Sequence, residues 1–221
     1  MLARLIAFDT TSRLSNLDLI GFVEDYLGRF GISATRVANA GGSKANLYAT
    51  IGPMVAGGVV LSGHTDVVPV DGQPWTSDPF VLTRRGERLY GRGTCDMKGF
   101  LALALAAVPV FAEPGRLTRP VHLAFSYDEE IGCLGAPAMI AEIAARLPQP
   151  AAVIVGEPTD MQVVGAHKGI TTHRVTVTGH EAHSSLTHLG LSANMVAIRL
   201  MARLAAIAEE LERAGDPHSP F

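Results

Sequence analysis

The sequence predicts an α/β fold: a mixed sheet with flanking helices, followed by a smaller α+β unit. Three observations carry this reading. Apolar runs at 58–63, 121–127 and 151–155 alternate with helical patterns at 97–112 and 133–147, as strands joined by helices do. The run at 151–155 is almost continuously apolar, which predicts a strand inside a sheet covered on both faces. Near residue 168 the pattern changes to strict alternation, which marks a second unit.

Taken in order, 7–13 is a polar loop with good capping residues, and 17–31 is a helix with Leu17, Ile20, Val23 and Leu27 on its apolar side, ending at Gly31. Residues 46–52 and 58–63 are strands separated by a Gly/Pro turn. Residues 69–80 form a loop around the lone Trp75. The helix at 97–112 is apolar nearly all round, so burial on most sides is expected. The strand at 121–127 and the helix at 133–147 precede Pro148. Over 171–178, His173, Val175 and Val177 face one way and Arg174, Thr176 and Thr178 the other, the pattern of a half-buried antiparallel strand. A long helix at about 191–213 follows. The boundaries drawn are 1–167 and 168–221.

A net charge of −3 leaves no basic patch of the kind that nucleic acid or an anionic membrane requires. The longest apolar run, 100–112, is too short to span a bilayer. With no visible secretory signal and only Cys95 and Cys133, a cytoplasmic protein without a disulfide framework is expected. Both cysteines read as small buried residues. His122, His167, His173, His180 and His188 read as structural or surface residues.

Three predicted strands end in residues that can bind metal: His64 after 58–63, Glu129 and Glu130 after 121–127, and Glu157 after 151–155. In open α/β sheets the ligand crevice lies beyond the carboxyl ends of the strands, so these positions converge. Asp96, opening the helix that follows, can face the same crevice. One imidazole with several carboxylates suits zinc or a similar divalent ion. So many acids suit a pair of ions about 3.5–4 Å apart better than a single one. Neighbours on a regular strand point to opposite faces. Glu129 and Glu130 can therefore serve one site only if the backbone turns there, which Gly132 suits. Different directions imply different work, one glutamate on metal and the other near the water to be activated.

Four blocks, Gly63-His64-Thr65-Asp66, Gly91-Arg92-Gly93-x-x-Asp96-Met97-Lys98-Gly99, Asp128-Glu129-Glu130-x-Gly132 and Gly156-Glu157-Pro158-Thr159, resemble in order and spacing those of the M20 metallopeptidases. Within that family the acetylornithine deacetylase branch is nearest, through 8–16, Trp75–Phe80 and 156–168. The resemblance implies a zinc-exopeptidase-like sheet at 1–167 and the first half of a lid and dimerisation domain at 168–221. It implies two Zn2+, replaceable by Co2+. His64 and Glu157 would hold one ion, Glu130 the other, and Asp96 would bridge them. Asp66 would orient His64, and Glu129 would deprotonate the bridging water. His183 would reach the site across a homodimer interface and hold the developing oxyanion.

The family pattern also includes a last metal-binding histidine and a second half of the lid. No segment here corresponds to either, and His218 lies in the wrong context, so the sequence reads as an N-terminal part of a longer chain. The implied reaction is hydrolysis of N2-acetylornithine to ornithine and acetate, within arginine biosynthesis. A succinyl-diaminopimelate desuccinylase, a general aminoacylase or a dipeptidase fits the same residues. So does, in another class, a catalytically incompetent chain acting as a binding module.

Overall fold

The computed structural model describes residues 1–167 and 169–215; Lys168 and His218 lie outside the described residues. The chain forms two compact units, Met1–Met161 and Gln162–Phe221.

The first unit is built on a five-stranded sheet of order β1-β2-β6-β3-β7. Its strands are β1 (Ala34–Ala38), β2 (Ala45–Ile51), β3 (Val59–His64), β6 (Val121–Ser126) and β7 (Ala152–Val155). β1, β2 and β6 run antiparallel, whereas β6, β3 and β7 run parallel. A short hairpin, β4 (Thr83–Arg85) with β5 (Arg88–Tyr90), forms a separate sheet. The helices are α1 (Leu2–Ile6), α2 (Leu17–Gly28), α3 (Lys98–Phe111) and α4 (Ala136–Arg146).

Alternation along the central strands divides the core. Leu47, Ala49 and Ile51 of β2 and Leu123 and Phe125 of β6 pack under α1, α2 and α3. Tyr48, Val60 and Ala124 pack on the other face against Met139 of α4. Each fully buried Leu or Ile contributes about 1.5–3 kcal/mol. The crossover β3-α3-β6 steps one way across the sheet and β6-α4-β7 steps back over β3. Right-handed crossovers in opposite directions place their helices on opposite faces. This reversal opens a crevice at the carboxyl ends of β6, β3 and β7.

Pro109 lies inside α3 and cannot donate to the carbonyl of Leu105. The Tyr26 hydroxyl of α2 donates to that carbonyl instead, at 3.0 Å, so the helix continues to Phe111.

Four expectations change. Among the described residues β7 is an edge strand, with Val153, Ile154 and Val155 each at least half exposed. α3 leaves a stripe uncovered, with Leu103 72% exposed. Residues 171–178 form no strand. A half-buried strand exists only through a ladder with a neighbour, and no described residue pairs with this segment. Cys95 and Cys133 are exposed. α1, β1 and the β4–β5 hairpin are elements that the sequence patterns did not single out.

The second unit contains a short 3-10 turn (Thr187–Leu189), one bridge between His180 and Leu191, and α5 (Ala193–Ala214). Ser192 caps α5 by accepting from the Met195 N–H at 3.3 Å. Among the described residues no helix is long and apolar enough to cross a membrane.

His122 of β6 is 1% exposed, with Nδ1 2.9 Å from the Thr50 hydroxyl and Nε2 without a partner. Burial pushes its pKa down. The unfolded chain then binds a proton more readily, so stability is lost as pH falls below the ordinary histidine value. Denaturation midpoints at pH 7 and pH 5 are expected to differ less in His122→Val than in the native chain.

Candidate metal centre

β3 ends in His64, which lies in register with Ser126 of β6, so Glu129 and Glu130 emerge just past the same rim. Ser62 of β3 lies in register with Val155 of β7, which brings Glu157 to that rim from the other side. Two glycines allow this approach. A Cβ on Gly63 would fall 2.8 Å from Met97 Cε, and one on Gly156 2.0 Å from the Phe100 ring. A side chain at Gly156 would run into the Phe100 ring, and one at Gly63 would displace the ends of Met97 and Leu101.

His64 is 1% exposed. Its Nδ1 lies 2.8 Å from the main-chain oxygen of Asp66. A carbonyl only accepts, so Nδ1 carries a proton and Nε2 is the atom that faces the cluster. Around Nε2 stand Asp96 Oδ1 at 3.0 Å, Glu129 Oε2 at 3.8 Å and Glu157 Oε1 at 3.9 Å. Donor atoms of His64, Asp96 and Glu157 come within 4.8 Å of one another, and so do those of His64, Glu129 and Glu130.

The electrostatics are those of an acid cluster in need of cations. Burial and then the charge of Asp96 push Glu130 up to about 7. Burial, with Asp96 and Glu129 adding repulsion, also raises Glu157. For His64, burial pulls downward, but the hydrogen bond and charge of Asp66, with Glu129 and Glu157 behind, hold it at about 9. A divalent ion would displace the Nε2 proton and relieve the carboxylate repulsion together. The donor set, one imidazole and several carboxylates, fits zinc or a comparable ion.

Asp66 is 2% exposed and occupies the centre of the support. Its Oδ2 accepts from the Ser12 hydroxyl at 2.7 Å and the Glu130 N–H at 3.3 Å, and its Oδ1 from the Glu129 N–H at 3.1 Å. Burial works against its charge, yet the hydrogen bonds from His64, Ser12 and Glu129 hold the carboxyl below its ordinary value. The aspartate thus touches both His64 and the acidic doublet. The doublet sits in the backbone turn that its chemistry requires: Asp128 has φ 57° and Gly132 φ 112°, and the N–H groups of Gly132 and Cys133 close on the Glu129 carbonyl.

His64, Asp66, Asp96, Glu129, Glu130 and Glu157 therefore gather at one rim. His183 belongs to the second unit, where its Nδ1 lies 2.8 Å from the Ser185 hydroxyl. Three contributors carry no local sequence signal of their own. Ser12 reaches Asp66 across 54 residues, Lys44 pairs with Asp128, and the Cys133 thiol lies 3.6 Å from Glu129 Oε1. Only Ser12 stood within a stretch already marked as a polar loop.

Comparison with known proteins follows the same lines. Residues 60–219 match the model of peptidase family M20/M25/M40. The chain is 37% identical over 208 residues to an acetylornithine deacetylase of Proteus mirabilis, covering 93% of this chain and 52% of that protein. It is 36% identical over 219 residues to an acetylornithine deacetylase of Pectobacterium carotovorum, covering 97% and 56%. The chain thus spans about half the length of the curated relatives it matches. Among solved structures, human carnosine dipeptidase 1 superposes with a TM-score of 0.61 at 24% identity, over 70% of this chain and 37% of that one. A tripeptidase of Staphylococcus aureus gives 0.60 at 16%, over 91% and 54%. These two share the fold.

Proposed function

The chain belongs to peptidase family M20/M25/M40, a family of metal-dependent hydrolases, and on that premise we propose that its rim is the centre of an amide hydrolase that deacetylates N2-acetylornithine. The observation that carries the chemistry is the convergence of Asp96, Glu129 and Glu157 on His64 Nε2, all within 3.9 Å. The substrate rests on the identity to enzymes named acetylornithine deacetylase along nearly the whole chain.

His64, Asp96, Glu130 and Glu157 would hold two zinc ions, which when bound would supply Lewis-acid polarisation of the amide carbonyl and lower the pKa of water toward neutrality. Glu129 accepts the proton of the attacking water and returns it to the leaving amine. Asp66 keeps the His64 ring and the backbone of the doublet in place. The resemblance to the family supports a homodimer formed through residues 168–221, with His183 donating to the oxyanion; two free cysteines, too few for a disulfide framework, are consistent with a cytoplasmic setting.

The test is a comparison of kcat/KM on N2-acetylornithine and N-succinyl-diaminopimelate with Zn2+ or Co2+ present. A clear preference for the acetylated substrate is expected. Preference for the succinylated one would assign the centre to desuccinylation. Metal-loaded protein that turns over neither of these, nor other N-acyl amino acids or dipeptides, would leave it a binding module.

A further inference from the structure

Asp128 is the residue at which the chain leaves β6 and turns toward the rim. Its φ of 57° is a left-handed conformation that few residues other than glycine adopt, aspartate and asparagine being the best tolerated. The residue is 7% exposed, so its carboxylate needs a partner. That partner is Lys44, whose Nζ donates both to Asp128 Oδ1 and to the main-chain carbonyl of Ser12. The two side chains are 14% and 10% exposed. A cation on a long flexible stem can reach both acceptors at once.

The contacts close a ring. Ser12 gives its carbonyl to Lys44 and its hydroxyl to Asp66. Asp66 accepts the N–H groups of Glu129 and Glu130, and Asp128 directly precedes that doublet and returns to Lys44. Lys44 itself immediately precedes β2, held by Asn39, whose Oδ1 accepts the Lys44 N–H at 3.1 Å.

We infer that Lys44 is a positioning residue: by joining the Ser12 carbonyl to the Asp128 carboxylate it fixes the turn that aims Glu129 and Glu130 at the rim. Its effect on metal rests on the reading of that rim as a metal centre; its effect on the turn does not. Without the ammonium, Asp128 loses the contact that holds it in a left-handed conformation, and the Ser12 loop loses its tie to the doublet.

The experiment is amide hydrogen exchange on the full chain, with Co2+ titration alongside. In Lys44→Met, exchange over 127–134 is expected to rise about tenfold, the weight of one hydrogen bond to a charged group. Exchange in β2 stays at its native level. Co2+ affinity falls by a similar factor, and Lys44→Arg restores both toward native values. Unchanged exchange over 127–134 overturns the inference, and so does an equal rise across β2 and β6, which marks general destabilisation. If Lys44→Met does not fold, Asp128→Asn decides: it keeps the left-handed tolerance but not the charge, and must loosen the same segment. Loosening in a native chain that binds no Co2+ supports the role of Lys44 and removes the metal reading instead.

Discussion

Glu129→Ala is expected to lower kcat by about 10²–10⁴-fold, the usual weight of a general base, while leaving metal content unchanged. The two glutamates of the doublet share one anchor, because both N–H groups end on the Asp66 carboxylate. Their side chains differ in surroundings. Glu130 is pushed up to about 7 by burial and by Asp96, so near neutral pH it is a full carboxylate only beside a cation. That is the situation of a ligand. Glu129 places Oε2 3.8 Å from His64 Nε2, and its Oε1 lies 3.6 Å from the Cys133 thiol, so it borders the cluster with one oxygen held by a weak donor. Turnover and metal content measured on the same preparation separate the two roles. Release of metal from Glu129→Ala would reverse the division within the doublet, an arrangement that the grouping of His64, Glu129 and Glu130 makes a real alternative.

The rim was legible in the sequence for a local reason. A parallel strand announces itself as a short apolar run, and the residues that follow its carboxyl end must lie at the edge of the sheet. His64, Glu129, Glu130 and Glu157 each follow such a run, and a turn, which Gly132 suits, was demanded by two adjacent acids serving one place. What supports the rim was not legible. The Ser12 hydroxyl and the Lys44 ammonium reach partners 54 and 84 residues away, and no periodicity encodes which buried polar group meets which. The same limit bears on the strands. The apolar run of β7 states that its side chains seek cover, not where the strand lies in the sheet. The alternation over 171–178 states a preference that only a pairing strand can realise. Cys133 read as buried because small sulfur residues usually are, whereas its place is fixed by the turn, where its φ of 57° carries it to the surface beside Glu129.

His64→Ala is expected to weaken metal binding by more than about 100-fold, beyond the 10–100-fold that losing an outer partner of a ligand costs. His64 is the one side chain common to both groups of donors, so its loss removes a neutral ligand from each and leaves carboxylates facing one another. Asp66 would remain, still accepting from Ser12 and the doublet, so the turn should survive while the centre does not. Metal content by elemental analysis after dialysis gives the result directly. A second signature shows whether the imidazole or the fold is responsible. In metal-free protein His64 is held at about 9, above its ordinary 6.5, so the native state binds the proton more tightly than the unfolded chain. The stability it contributes is complete below about pH 6.5 and is lost as pH rises through about 9. Native metal-free protein should therefore unfold more readily at pH 9 than at pH 6.5, and His64→Ala should lose much of that difference. Retention of metal by a folded His64→Ala would show that the carboxylates alone suffice, and would move the centre away from the end of β3.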